Sequence, residues 1–96
     1  MYRLVFRKKA LKQWNALDSS VRRDLVNVLQ QRLLNPFVPS SRLRGKLSGC
    51  YKIKLKKAGI RLIYLPDAEN LSVTVISIGK RENGTAYRVA EAELGN

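Results

Sequence analysis

Between Tyr51 and Leu65 the chain carries two alternating runs joined by Lys57-Ala58-Gly59, a pattern that specifies a tight β-hairpin. Alternate side chains of a strand face opposite ways. Tyr51, Ile53 and Leu55 therefore share one face, and Lys52, Lys54 and Lys56 the other. On the second run Ile60, Leu62 and Tyr64 oppose Arg61, Ile63 and Leu65. Pairing Leu55 with Ile60 joins the two apolar sets, whereas a one-residue slip would lay lysines over them. That register also sets Lys54 opposite Arg61, with Lys52 beside Ile63. Like charges directly opposite destabilise a sheet, and a bound anion would remove the conflict.

The rest of the chain supplies layers for this hairpin. Tyr2, Leu4 and Phe6 alternate with Arg3, Val5 and Arg7, which predicts a short strand. Ala10, Leu11, Trp14 and Leu17 form a helical stripe that makes Trp14 a core residue. Asp18-Ser19-Ser20 offers side-chain acceptors for a second helix start. That helix carries Val21, Leu25, Val28, Leu29 and Leu33 and stops before Asn35-Pro36, giving an antiparallel helical hairpin. Residues 35–49 form a basic surface loop with Arg42, Arg44 and Lys46. After a turn over Pro66–Asn70, Leu71 to Ile78 predicts a further strand, and Thr85 to Leu94 a short helix with Tyr87, Ala90 and Leu94 on one side. The order is strand, helix, helix, three strands, terminal helix. It reads as one α+β domain over residues 1–96, with helices packed on one face of a largely antiparallel sheet.

Charge narrows the function. Nineteen Lys+Arg against seven Asp+Glu gives a formal +12, with a pI near 10.5. On so small a domain this favours a polyanionic partner, of which nucleic acid is the commonest. There is no histidine, which excludes paired-imidazole RNA hydrolysis, Ser-His-Asp triads and His-ligated metals. The seven acids are scattered, and the single Cys50 forms neither an internal disulfide nor a zinc site. Cys50 is therefore read as a small buried hydrophobe. No apolar run is long enough to span a membrane, and the N-terminus lacks a signal peptide's apolar region. The expected location is the cytoplasm, with no membrane partner and no cofactor or metal. Any chemistry must come from Lys, Arg, Tyr, Ser or isolated carboxylates. Arg81, at the end of the last strand, has a planar fork suited to phosphate oxygens. Periodicity alone leaves Tyr87 between packing and function.

Several segments carry a family resemblance, beginning with Arg42-Leu43-Arg44-Gly45 before Cys50. The run from Cys50 to Tyr64, the segment Ile76 to Glu82, and the opening with Ala10-Leu11-Lys12 and Trp14 resemble the RelE toxins of bacterial toxin–antitoxin pairs. The resemblance covers nearly the whole chain. It implies a small α+β domain that enters the ribosomal A site and cleaves the mRNA codon there. It also implies a RelB-like cognate antitoxin, acidic where it wraps the toxin, with operator DNA reached only through that complex. The family's active residues fall on Lys52, Lys54, Arg61, Arg81 and Tyr87.

These residues permit attack of a ribose 2′-OH on the adjacent phosphate without a metal, if cations stabilise the charge on the phosphoryl oxygens. Arg61 and Lys54 suit that task. Lys52 is the candidate general base, since crowded like charges favour the neutral form of one member. Arg81 would sit near the leaving oxygen, and Tyr87 would stack on a base or orient the nucleophile. Arg7, Lys8, Arg42, Arg44 and Lys46 are candidates for docking on rRNA phosphates of the 70S ribosome. Two other readings remain: a non-catalytic basic nucleic-acid-binding module, and a gyrase-directed toxin on the same scaffold.

Overall fold

The computed structural model describes residues 1–95. Its elements run β1 (Arg3–Phe6), α1 (Lys8–Ala16), α2 (Ser19–Leu34), β2 (Tyr51–Leu55), β3 (Ile60–Asp67), β4 (Ser72–Lys80) and α3 (Thr85–Glu93). The sheet order is β1-β4-β3-β2, with β1 parallel to β4 and the other pairs antiparallel. The hairpin adopts the register its pattern demands: Tyr51 opposite Tyr64, Ile53 opposite Leu62, and Leu55 opposite Ile60.

The α1–α2 hairpin covers one face. Ala10, Leu25 and Leu29 pack on Tyr51, Ile53, Ile60, Leu62, Tyr64, Val73, Val75 and Ile78, with Phe6, Trp14, Leu17 and Val28 around them. Trp14 is core as expected, its ring 5.2 Å from Phe6. Leu11 is exposed instead, because the short α1 presents Ala10 and Trp14 to the sheet and leaves Leu11 at the outer edge of the stripe. Asp18 occupies the N-cap of α2, yet its carboxylate accepts the Ser20 hydroxyl at 2.6 Å rather than a backbone N–H. Arg22 fixes the helical turn by donating to Leu17 O at 2.7 Å, at the carbonyl end of α1.

One expectation is corrected by α3, which lies on the opposite face of the sheet from the hairpin. It buries Leu47, Cys50, Ile63 and Ile76 with its own Ala86 and Ala90. The physical reason is in β3, where Leu62, Ile63 and Tyr64 are consecutive and fully buried, so both faces need cover. A β-bulge in β4 assists. Ile63 pairs with Ser77 and Tyr64 with Val75, leaving Ile76 as the extra residue. Ile76 enters the α3 core, and the Ser77 hydroxyl donates to Ala86 O at 2.6 Å. Beyond the bulge β1 no longer pairs with β4, and the Ile78 N–H donates instead to Gln13 Oε1 at 2.9 Å.

Two boundaries also differ. Pro66 and Asp67 belong to β3 rather than to the turn. Pairing with β2 ends at Tyr64, so Pro66 lies where the strand has a free edge and its missing N–H costs no ladder bond. Leu71 adopts φ +51° and closes the turn, so β4 begins at Ser72 and continues to Lys80. Among the described residues no helix is long and apolar enough to cross a membrane.

Candidate functional site

The α3 side of the sheet is apolar under α3 and cationic beyond it. Lys54 and Arg61 are cross-strand partners, and Arg61 is in turn opposite Gly79 on β4. Lys52, opposite Ile63, lies two residues along the same face of β2. Lys54 is exposed, while Lys52 and Arg61 are half-buried. Arg61 finds only the carbonyl of neighbouring Ile60, at 3.4 Å. The three cations thus gather as the hairpin pattern required, with no carboxylate among their strand partners.

Arg81 follows β4 directly, and its backbone N–H donates to Gly59 O at 2.8 Å. This bond ties the end of β4 to the β2–β3 turn, so the exposed Arg81 side chain starts from the same end of the sheet as Lys54 and Arg61. Gly79 matters here because a Cβ on it would lie 3.2 Å from the Ala86 N, so a side chain there would push α3 outward by a few tenths of an ångström. Tyr87 comes next in α3 and is half-buried against the second core. That position gives Tyr87 a packing role.

The wider basic set is less uniform. Arg7 donates to Glu93 O at 2.6 Å and lies 3.8 Å from Glu93 Oε1, with Lys9 Nζ 3.7 Å from Oε2. Arg7 is therefore partly committed to holding the end of α3. Lys8, Arg42, Arg44 and Lys46 are exposed. Arg42 also forms a backbone bridge with Tyr51, which covers part of the free edge of β2. The two contacts to Glu93 are the only ion pairs among the described residues. Most of the positive charge is left without an internal partner.

Sequence reasoning missed Arg32. It donates from Nη1 to the Lys52 carbonyl at 3.2 Å and to the Tyr64 hydroxyl at 2.9 Å, and from Nη2 to Ser41 Oγ at 3.0 Å. Tyr64 donates onward to Pro36 O at 2.8 Å. Burial pushes the Tyr64 phenol above the usual tyrosine range, against the opposing pull of Arg32. A row of rings, Tyr2–Phe37–Tyr51–Tyr64, spaced 6.2, 5.9 and 5.8 Å, holds the loop after α2 against this anchor. The backbone of β2, and with it Lys52, is thereby fixed from behind.

Comparison with known proteins identifies relatives of this sequence and fold. A family model described as the ParE toxin of the type II toxin–antitoxin system parDE matches residues 4–84. The mRNA interferase toxin RelE of Escherichia coli strain K12 is 44% identical over 89 residues, covering 93% of each chain. The free-state structure of an E. coli RelE double arginine mutant superposes with a TM-score of 0.87 at 41% identity, covering 97% of each chain. The toxin in the intact E. coli RelBE toxin–antitoxin complex gives 0.82 at 43% identity, covering 86% of this chain and 100% of that one. With the family match, these relatives and the shared fold in agreement, the chain belongs to the RelE/ParE family of type II toxin–antitoxin toxins.

Proposed function

We propose that this protein is a RelE-type endoribonuclease that cleaves mRNA at the A-site codon of the ribosome and is held inactive by a RelB-like antitoxin. The observation that carries the reading is Lys54 set opposite Arg61, with Lys52 on the same face and no carboxylate among their strand partners. Such an arrangement opposes folding unless an anion occupies it. Two relatives at 44% identity bear the name mRNA interferase, and the toxin of the solved E. coli RelBE complex is 43% identical.

The reaction is attack of a ribose 2′-OH on the adjacent phosphate, which releases a 5′-OH and leaves a 2′,3′-cyclic phosphate. Arg61 and Lys54 stabilise the charge that builds on the phosphoryl oxygens, and these groups suffice without a metal. Lys52 accepts the 2′-OH proton. Arg81 faces the leaving oxygen as a charge stabiliser, and the departing 5′-oxyanion takes its proton from water. Tyr87 stacks on a base or orients the nucleophile. These weak acids and bases fit dependence on the ribosome, because positioning supplies up to ~7–11 kcal/mol in well-aligned systems. The exposed Lys8, Arg42, Arg44 and Lys46 dock on rRNA phosphates.

The test adds purified protein to programmed ribosomes and maps mRNA ends by primer extension, with naked mRNA alongside. Cuts confined to the A-site codon are expected, and robust cutting of naked RNA would remove the ribosome from the reading. Arg81→Ala is expected to slow cleavage by orders of magnitude while ribosome co-sedimentation survives. Because the matching family model carries the ParE name, gyrase is the second target to assay. Intact mRNA with gyrase-dependent DNA breaks would replace the nuclease reading.

A further inference from the structure

Arg32 stands at a position where α2 otherwise presents apolar side chains, four residues after Val28 and seven after Leu25. It is half-buried, and its three hydrogen bonds all go to neutral oxygens. Charges removed from water are ordinarily paired with an opposite charge. This guanidinium forms part of a cleft of about 330 Å³ lined by Arg32, Ser40, Ser41, Lys52, Lys54 and Lys56. Four cations and two hydroxyl side chains line it, and no carboxylate does. The bonds from Nη1 and Nη2 hold the guanidinium in one orientation, so a fixed charge meets three flexible lysines.

Lys54 connects this cleft to the site already described. It lines the cleft and is also the cross-strand partner of Arg61. Along β2, Lys52, Lys54 and Lys56 recur every second residue, about 6.6–6.8 Å apart in a strand. That step is comparable to the spacing of successive phosphates in an extended nucleotide chain. A strand of RNA with one phosphate between Lys54 and Arg61 therefore has its next phosphate within reach of the cleft.

We propose that the cleft between Arg32 and the lysine face of β2 is a second phosphodiester subsite, which binds the substrate RNA at a phosphate neighbouring the one that is cleaved. The proposal rests on the reading of the protein as an RNA-cutting toxin. Arg32 supplies the immobilised charge, Ser40 and Lys56 complete the rim, and Lys54 bridges the two phosphates. Arg32 thus contributes to substrate binding without touching the reacting atoms.

The test measures binding of uncleavable 2′-O-methyl oligonucleotides by fluorescence anisotropy across a salt series. A dinucleotide carries one internucleotide phosphate and a tetranucleotide three. Wild-type protein is expected to bind the tetranucleotide more tightly and with a steeper salt dependence. Arg32→Leu and Lys56→Ala should each lower the tetranucleotide's log–log salt slope by up to about 0.7, the contribution of one single-strand phosphate. The dinucleotide slope should stay unchanged. The double variant should lose no more than one such contribution, since both residues meet the same phosphate. Lys56 is exposed, so its variant keeps the test decisive even if Arg32→Leu fails to fold.

Equal slopes for wild type and the Lys56→Ala variant would overturn the subsite. So would weakened binding to mRNA-free ribosomes without a slope change, which would assign the cleft to ribosomal RNA. Weakened antitoxin binding without a slope change would likewise overturn it, in favour of an acidic peptide. Primer extension on programmed ribosomes separates the two readings. Cleavage with unchanged slopes removes the subsite alone, whereas a slope change without cleavage removes the nuclease and leaves an anion-binding cleft.

Discussion

Arg32 was not legible in the sequence as an anchor. Its acceptors lie at Ser41, Lys52 and Tyr64, which are 9, 20 and 32 residues away, and no local pattern links them. Cys50 was easier, because a lone cysteine in a chain with no histidine has packing as its simplest use. It is fully buried, and burial pushes its thiol above the usual range. The folded protein therefore holds this proton more tightly than the unfolded chain does. Below about pH 8.5 both states keep it. As pH rises further the unfolded thiol ionises first, and stability falls until the folded value is passed. Tyr64, raised in the same direction, adds to the loss above about pH 10. Urea midpoints should decline across this alkaline window, and Cys50→Ala should decline less steeply. A parallel decline in the two proteins would remove Cys50 as a source.

Among the elements, the β2–β3 hairpin was the most legible, because one register alone puts Tyr51, Ile53 and Leu55 on the face of Ile60, Leu62 and Tyr64. The candidate cations came with it, since Lys54 and Arg61 are fixed by the same pairing. The side chosen by α3 was harder to read. Val73, Val75, Ile76 and Ile78 fall close together along the chain, and nothing local marks Ile76 as the residue that crosses to the other face. The seating of α3 depends on Gly79, whose absent Cβ leaves room for the Ala86 backbone. Gly79→Ala is expected to cost ~1–3 kcal/mol, the usual penalty of an overpacked contact. It should also move Tyr87, the next residue after Ala86, and slow cleavage more than it weakens ribosome binding. Denaturant unfolding measures the first effect and primer extension the second. Full stability in this variant would mean that α3 rides freely over the sheet.

Over the whole molecule, a net +12, with ion pairs to Glu93 alone among the described residues, leaves a field that works against the compact state. Salt should then act in opposite directions on two properties. Added salt screens the self-repulsion and raises the unfolding midpoint, while it weakens RNA binding by making counterion release less favourable. A melting series and an RNA-binding series in the same buffers test this, and a midpoint that fell with salt would contradict it. The bulge in β4 bears on how such a molecule is assembled over evolutionary time. Removing Ile76 alone would let Val75 and Ser77 sit beside Tyr64 and Ile63 in an unbroken ladder, with Ile78 still opposite Leu62. Every other side chain would keep its face. Ile76 therefore has the form of a one-residue insertion, the smallest change in gene length by which a sheet already covered on one side acquires an anchor for a second layer.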